Sequence, residues 1–112
     1  MTVTAKCLLE AKYASDSATT EYTAPLNTKA IIDKFTATNV DSGAVTITVY
    51  IVPSGGTATD SNMIIKAYSI SAGATQDFSS LQNQILNTGD FISILASVAS
   101  KMVIRISGRE VT

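Results

Sequence analysis

Ala44-Val45-Thr46-Ile47-Thr48-Val49-Tyr50-Ile51-Val52-Pro53 is the stretch on which the reading of the fold turns. Val45, Ile47, Val49 and Ile51 fall on one side of an extended chain, and Thr46, Thr48 and Tyr50 on the other. This period of two marks a half-buried strand, and β-branched residues fit a pleated surface. Pro53 stops it, because proline has no N–H to give to a ladder. One strand cannot bury its apolar face alone, so the neighbouring segments must supply a sheet.

Toward the N-terminus, Asn39-Val40-Asp41-Ser42-Gly43 is a turn rich in residues that tolerate positive φ. Lys29–Val40 before it reads as a long strand with Ile31, Phe35 and Ala37 on one face. Asp33 interrupts that face and marks a bulge or an edge. A short strand at Thr20–Thr23 ends at Pro25, and residues 14–19 form a polar turn. The first stretch, residues 2–13, alternates again. Val3, Ala5, Cys7, Leu9, Ala11 and Tyr13 lie on one side, expected to face the core, with Leu8 the one apolar residue on the other.

Toward the C-terminus, residues 54–62 are the longest polar connection, expected to be exposed and mobile. Met63–Ile70 reads as a strand, Ser71-Ala72-Gly73 as a turn and Ala74–Ser79 as a short strand. Residues 81–86 fit a helical turn or a short strand equally well. Asn87-Thr88-Gly89-Asp90 is a turn leading into Phe91–Ser97, which is apolar on both sides, as befits a central strand or an interface. The last strand runs from Met102 to about Val111, with Met102, Ile104 and Ile106 inward and Arg105 and Arg109 outward. About eight strands with turns every ~8–12 residues specify an all-β, single-domain antiparallel β-sandwich or jelly-roll-like barrel spanning residues 1–112.

Charged residues make up only 15% of the chain, against a usual ~25%. Fifteen threonines and thirteen serines take their place, and the mean hydropathy is +0.26. The surplus of apolar character fits either a dense β-core or surface buried between subunits. Eight basic and nine acidic residues give a net charge of −1 with no basic cluster, which argues against nucleic acid and against an anionic membrane as partners. No run approaches the ~18 apolar residues of a membrane span. The start of the chain, lacking a basic segment and a long apolar run, does not read as a secretory leader, so synthesis in the cytoplasm is expected.

Catalytic equipment is sparse. Without histidine there is no Ser-His-Asp or Cys-His arrangement and no ordinary zinc site. Cys7 is the single cysteine, so no disulfide forms within the chain; it reads as a buried small apolar residue, an intermolecular bridge being the alternative. The acids fall mostly at turns, where aspartate bends and caps the chain. Asp41, Asp60 and Asp90 would have to meet at one end to hold calcium, and no D-x-D-x-D-G string supports that. Gly55-Gly56 is not followed by the Lys-Ser/Thr of a phosphate loop. No enzyme activity, cofactor or metal is therefore expected. The four tyrosines suit ordinary packing and interfaces alike.

Several segments carry a resemblance. They are Tyr22-Thr23-Ala24-Pro25, Ala30-Ile31-Ile32, Thr38-Asn39 and Ile47-Thr48-Val49-Tyr50-Ile51-Val52-Pro53, then Ser71-Ala72-Gly73, Gly89-Asp90-Phe91-Ile92 and Ile106-Ser107-Gly108. Over about residues 20–111 the chain resembles small β-sandwich structural proteins of tailed-bacteriophage virions. The resemblance implies a non-catalytic homo-oligomer on the head or at the head–tail collar, with major capsid or head–tail connector proteins as partners. A receptor- or carbohydrate-binding module of a tail fibre is the alternative, with loops 54–62 and 87–90 making the contacts. Residues 2–13 lie outside that pattern and are read as a strand available to pair between subunits. Candidate interface residues are Val3, Leu8, Tyr50, Tyr68, Phe91 and Leu95.

Overall fold

The alternating stretch at 44–53 does form a strand, and its Val45, Ile47 and Val49 are fully buried. In this computed structural model, which describes residues 1–112, the strands are β1 (Val3–Tyr13), β2 (Thr19–Thr23), β3 (Lys29–Asn39), β4 (Val45–Val52), β5 (Met63–Ile70), β6 (Thr75–Asp77), β7 (Ile85–Leu86), β8 (Phe91–Ala96) and β9 (Met102–Val111). The undecided segment 81–86 ends in the two-residue β7, after a single 3₁₀ turn at Ser79–Leu81.

All pairings are antiparallel and fall into two sheets. One has the order β1-β9-β3-β6, with β7 also pairing β3, and the other has the order β2-β8-β4-β5. With β6 and β7 taken as one interrupted strand, these are the orders 1-8-3-6 and 2-7-4-5 of an eight-stranded jelly roll. Every connection crosses between the sheets except β4–β5 and the break between β6 and β7. The strand rich in apolar residues on both sides, β8, lies centrally in its sheet between β2 and β4.

Between the sheets lies one core of 21 buried residues, in which Phe35 and Phe78 meet edge to face at 5.6 Å. Asn39 is buried at the end of β3, and all its polar atoms are engaged. Its Nδ2 donates to the carbonyls of Gly43 and Ile70, each at 2.9 Å, and its Oδ1 accepts from the Asp41 N–H at 2.8 Å.

Two strands depart from the faces that alternation assigns them. In β3 a bulge between Ile32 and Lys34 changes the parity. Ala30 and Ile32 point inward before it, and Phe35 and Ala37 after it, so Ile31 is half-buried on the outside. Asp33, at the bulge, accepts the Arg109 guanidinium at 2.8–3.1 Å.

In β1 the expected face is inverted except at Leu9, which packs against the core. Leu8 is its one buried residue, whereas Val3, Ala5, Ala11 and Tyr13 are exposed and Cys7 is half-exposed. The reason is position. β1 is a sheet edge pairing only β9, and two register shifts, between Cys7 and Leu9 and between Leu9 and Lys12, fit eleven residues against nine. Leu8 enters the core with its side chain beside Gly108, whose register partner is Lys6. A Cβ at 108 would strike the Ile31 carbonyl and lie 2.7 Å from Leu8 Cδ1.

Candidate assembly surface

A jelly roll leaves four sheet edges and two mouths, one on each side where the edges of the two sheets face each other. The mouth between β1 and β2 is ionic. Lys12 Nζ lies 2.9 Å from Glu21 Oε1, and the Glu21 side chain is only 3% exposed while that of Lys12 is 48% exposed. The second Glu21 oxygen is buried without a partner. Nearby, Glu110 accepts from Lys6 at 3.3 Å and from the Tyr22 hydroxyl at 2.5 Å. Burial, then that hydrogen bond and the charge of Glu110, push the Tyr22 phenol above its ordinary value. Lysines on an edge strand, and bulges within it, discourage adventitious strand pairing.

The opposite mouth, between β5 and β6, is aromatic. Tyr68 packs edge to face on Phe78 at 5.4 Å, with its hydroxyl 3.4 Å from Gln76 Oε1. Ala67 beside it has φ 44° and donates its N–H to the buried Thr48 Oγ1 at 3.0 Å. Here the β4–β5 register shifts between the pairs Ile47–Tyr68 and Val49–Ile65, and this bulge twists the edge away from regular pairing.

The candidate interface residues divide among three places. Tyr50, Phe91 and Leu95 are half-buried together on the outer face of the β2-β8-β4-β5 sheet. Val3 is exposed on the outer face of the other sheet, and Tyr68 stands at the aromatic mouth. Leu8 is withdrawn into the core, so it presents nothing to a partner. The three aspartates considered for calcium do not converge. Asp41 follows β3 at one end, while Asp60 and Asp90 lie at the other. Asp90 is occupied in turn chemistry, accepting from the N–H groups of Ser54 at 3.0 Å and Asn87 at 2.9 Å.

Apart from Tyr68, the large exposed apolar side chains lie toward the two ends. Eleven residues of β1 span about 36 Å at the strand rise, more than the 26 Å middle dimension of a molecule measuring 46 × 26 × 20 Å. The long strands must therefore run along the long axis. At the end where β3 begins, Met1, Val3, Leu26 and Ile85 are exposed; at the other, Tyr13, Val40 and Val98 are. Sequence reasoning passed over Leu26 because it stands in a Pro-Leu-Asn turn, where position rather than polarity decides exposure.

No protein-family model and no curated protein matches the chain. A solved structure does share its fold. A structure of Bacillus endospore appendages, described as forming a family of disulfide-linked pili, superposes with a TM-score of 0.56 at 17% identity, over 99% of this chain and 88% of that one. A structure of infectious bursal disease virus, Gx strain, aligns with a TM-score of 0.46 at 15% identity, over 97% of this chain and 32% of the viral one. The likeness to the appendage structure, at 17% identity, is one of fold alone.

Proposed function

We propose that the chain is a non-catalytic structural subunit that assembles with copies of itself, and that it serves in a tailed-phage virion on the head or at the head–tail collar. The observation that carries self-assembly is the grouping of exposed apolar side chains at the two ends of a molecule with few charges. Four stand at one end and three at the other. Apolar residues scattered singly are ordinary on any surface, but grouped ones favour contacts.

The appendage structure with the same fold supports an assembled role, and the resemblance of the chain's turn and strand segments to phage structural proteins supports the virion setting. Cys7, half-exposed on the edge strand, could link two subunits but not propagate a chain, since each copy carries one thiol. Light scattering coupled to size exclusion, with electron microscopy of the same fractions and of purified particles, tests both parts. Ordered oligomers and the subunit's presence in particles are expected. A strictly monomeric protein overturns self-assembly, and absence from particles overturns the virion setting.

One observation favours the receptor-binding reading as a second. Loops 54–62 and 87–90 lie side by side, joined by the Ser54–Asp90 bond, so they form one continuous rim. Specific signal on a glycan array, lost on Asp90→Ala without loss of folding, would favour it.

A further inference from the structure

We infer that the mouth between β5 and β6 binds an oligosaccharide, with the Tyr68 ring as the stacking platform and Lys66, Asp77, Ser79 and Ser80 as the hydrogen-bonding groups around it. This deepens the receptor-binding reading, on which it rests for the class of ligand, but none of the lining comes from loops 54–62 or 87–90.

A bulge sets Tyr68 in place. Tyr68 and Ile65 stand opposite the buried Ile47 and Val49, so three steps on β5 match two on β4 and both side chains point between the sheets. Ala67 takes up the extra residue at φ 44°. Asn27, Asn83 and Ser100 also have positive φ, but Ala67 is the one without a polar side chain to favour it. Strained backbone of this kind gathers at ligand sites. Phe78 anchors the ring to the core, meeting Tyr68 at 5.4 Å and Phe35 at 5.6 Å, each edge to face. In that geometry Phe78 covers at most one face of the tyrosine, which stays 45% exposed because β5 is an edge strand and β6 is three residues long.

The depression in front of the ring holds about 350 Å³, at the lower end of the ~300–1,000 Å³ of small-molecule sites. A sugar ring lays its C–H side on a π face and turns its hydroxyls to donors and acceptors at the rim. Exposed groups of both kinds stand here: Lys66 donates, Asp77 accepts, and the Ser79 and Ser80 hydroxyls do either. Gln76 is held in place, its Nε2 donating to the Asp77 carbonyl at 2.8 Å and its Oε1 lying 3.4 Å from the Tyr68 hydroxyl. A second depression of about 140 Å³ continues on the far side of Asp77, Phe78 and Ser79, which line both, and reaches Lys34 and Gln82. Two adjoining depressions suit a ligand of linked units. A proline-rich peptide docks instead in a groove lined by several aromatic rings, whereas Phe35 and Phe78 are buried here and Tyr68 alone is open.

The test probes a printed array of neutral and acidic oligosaccharides with the full chain and with Tyr68→Ala, Tyr68→Phe, Asp77→Asn and Asp90→Ala, each verified as folded by circular dichroism. Hits are titrated in solution by tyrosine fluorescence. Wild type, Tyr68→Phe and Asp90→Ala are expected to bind alike, while Tyr68→Ala and Asp77→Asn each weaken binding about tenfold. If Tyr68→Ala disturbs folding, Tyr68→Leu fills the space without a π face and replaces it. Wild-type protein that binds no oligosaccharide overturns both this site and the receptor-binding reading. Binding that survives Tyr68→Ala overturns this site alone, and its loss in Asp90→Ala then returns the sugar to the loop rim. An oligoproline peptide that binds where no oligosaccharide does, and is lost in Tyr68→Ala, makes the mouth a peptide groove and also overturns it.

Discussion

Lys12 and Glu21 offer a perturbation whose two halves should differ sharply. The Glu21 side chain is 3% exposed with one oxygen already unpartnered, whereas that of Lys12 is 48% exposed. Lys12→Met strands the carboxylate with both oxygens unpaired. Breaking a fully buried pair costs about 3–5 kcal/mol, and an exposed pair is worth under about 1 kcal/mol. A pair with one buried and one half-exposed partner lies between, near 2 kcal/mol. In a domain of this size that lowers Tm by about 8–10 °C. Glu21→Gln leaves a neutral amide in the same space and frees Lys12 into water, so its cost should stay below about 1 kcal/mol. The double variant should resemble Glu21→Gln rather than the sum of the two, since no buried charge is left to strand. Urea unfolding of the four proteins reads all three numbers. Equal small losses in both single variants, or additive losses in the double, would refute the claim that the buried carboxylate depends on its lysine.

Three further outcomes follow from the same geometry. Gly108→Ala should destabilise the fold by about 1–3 kcal/mol through collision with the Ile31 carbonyl and Leu8, and a wild-type unfolding midpoint would show that β1 is not seated as described. Asn39→Ala should cost about 2–4 kcal/mol, because the buried Ile70 carbonyl loses its donor along with the loop contacts at Gly43 and Asp41; thermal denaturation checks this, and a change under 0.5 kcal/mol, as at an ordinary surface site, contradicts it. With its phenol raised, Tyr22 contributes stability that is fully present below its unfolded value near 10 and is lost as pH rises above it. Ultraviolet titration should therefore show a late tyrosine ionisation, which Tyr22→Phe should abolish.

Strand positions were legible because alternation is local: Val45–Val52 and Met102–Val111 emerge from their own residues. Faces were legible only where a strand is covered by the opposite sheet. β1 lies at an edge and carries two bulges, so its regular alternation points apolar residues to solvent and Leu8 to the core. Asp33 signalled the bulge in β3, but the parity change that turned Ile31 outward depended on which side of it was paired. Strand order was not readable, since β1 finds β9 some ninety residues away and nothing in either strand names the other. The half-buried face shared by Tyr50, Phe91 and Leu95 was foreshadowed by a strand apolar on both sides. Leu26 and Tyr13 were not, because their exposure follows from where a turn and a strand end lie in the whole molecule.

Self-assembly itself is tested most directly by sedimentation velocity of the wild-type protein across a wide concentration range. A mass that rises with concentration above that of one chain is the expected result. A single species of one 112-residue chain at every concentration would contradict it.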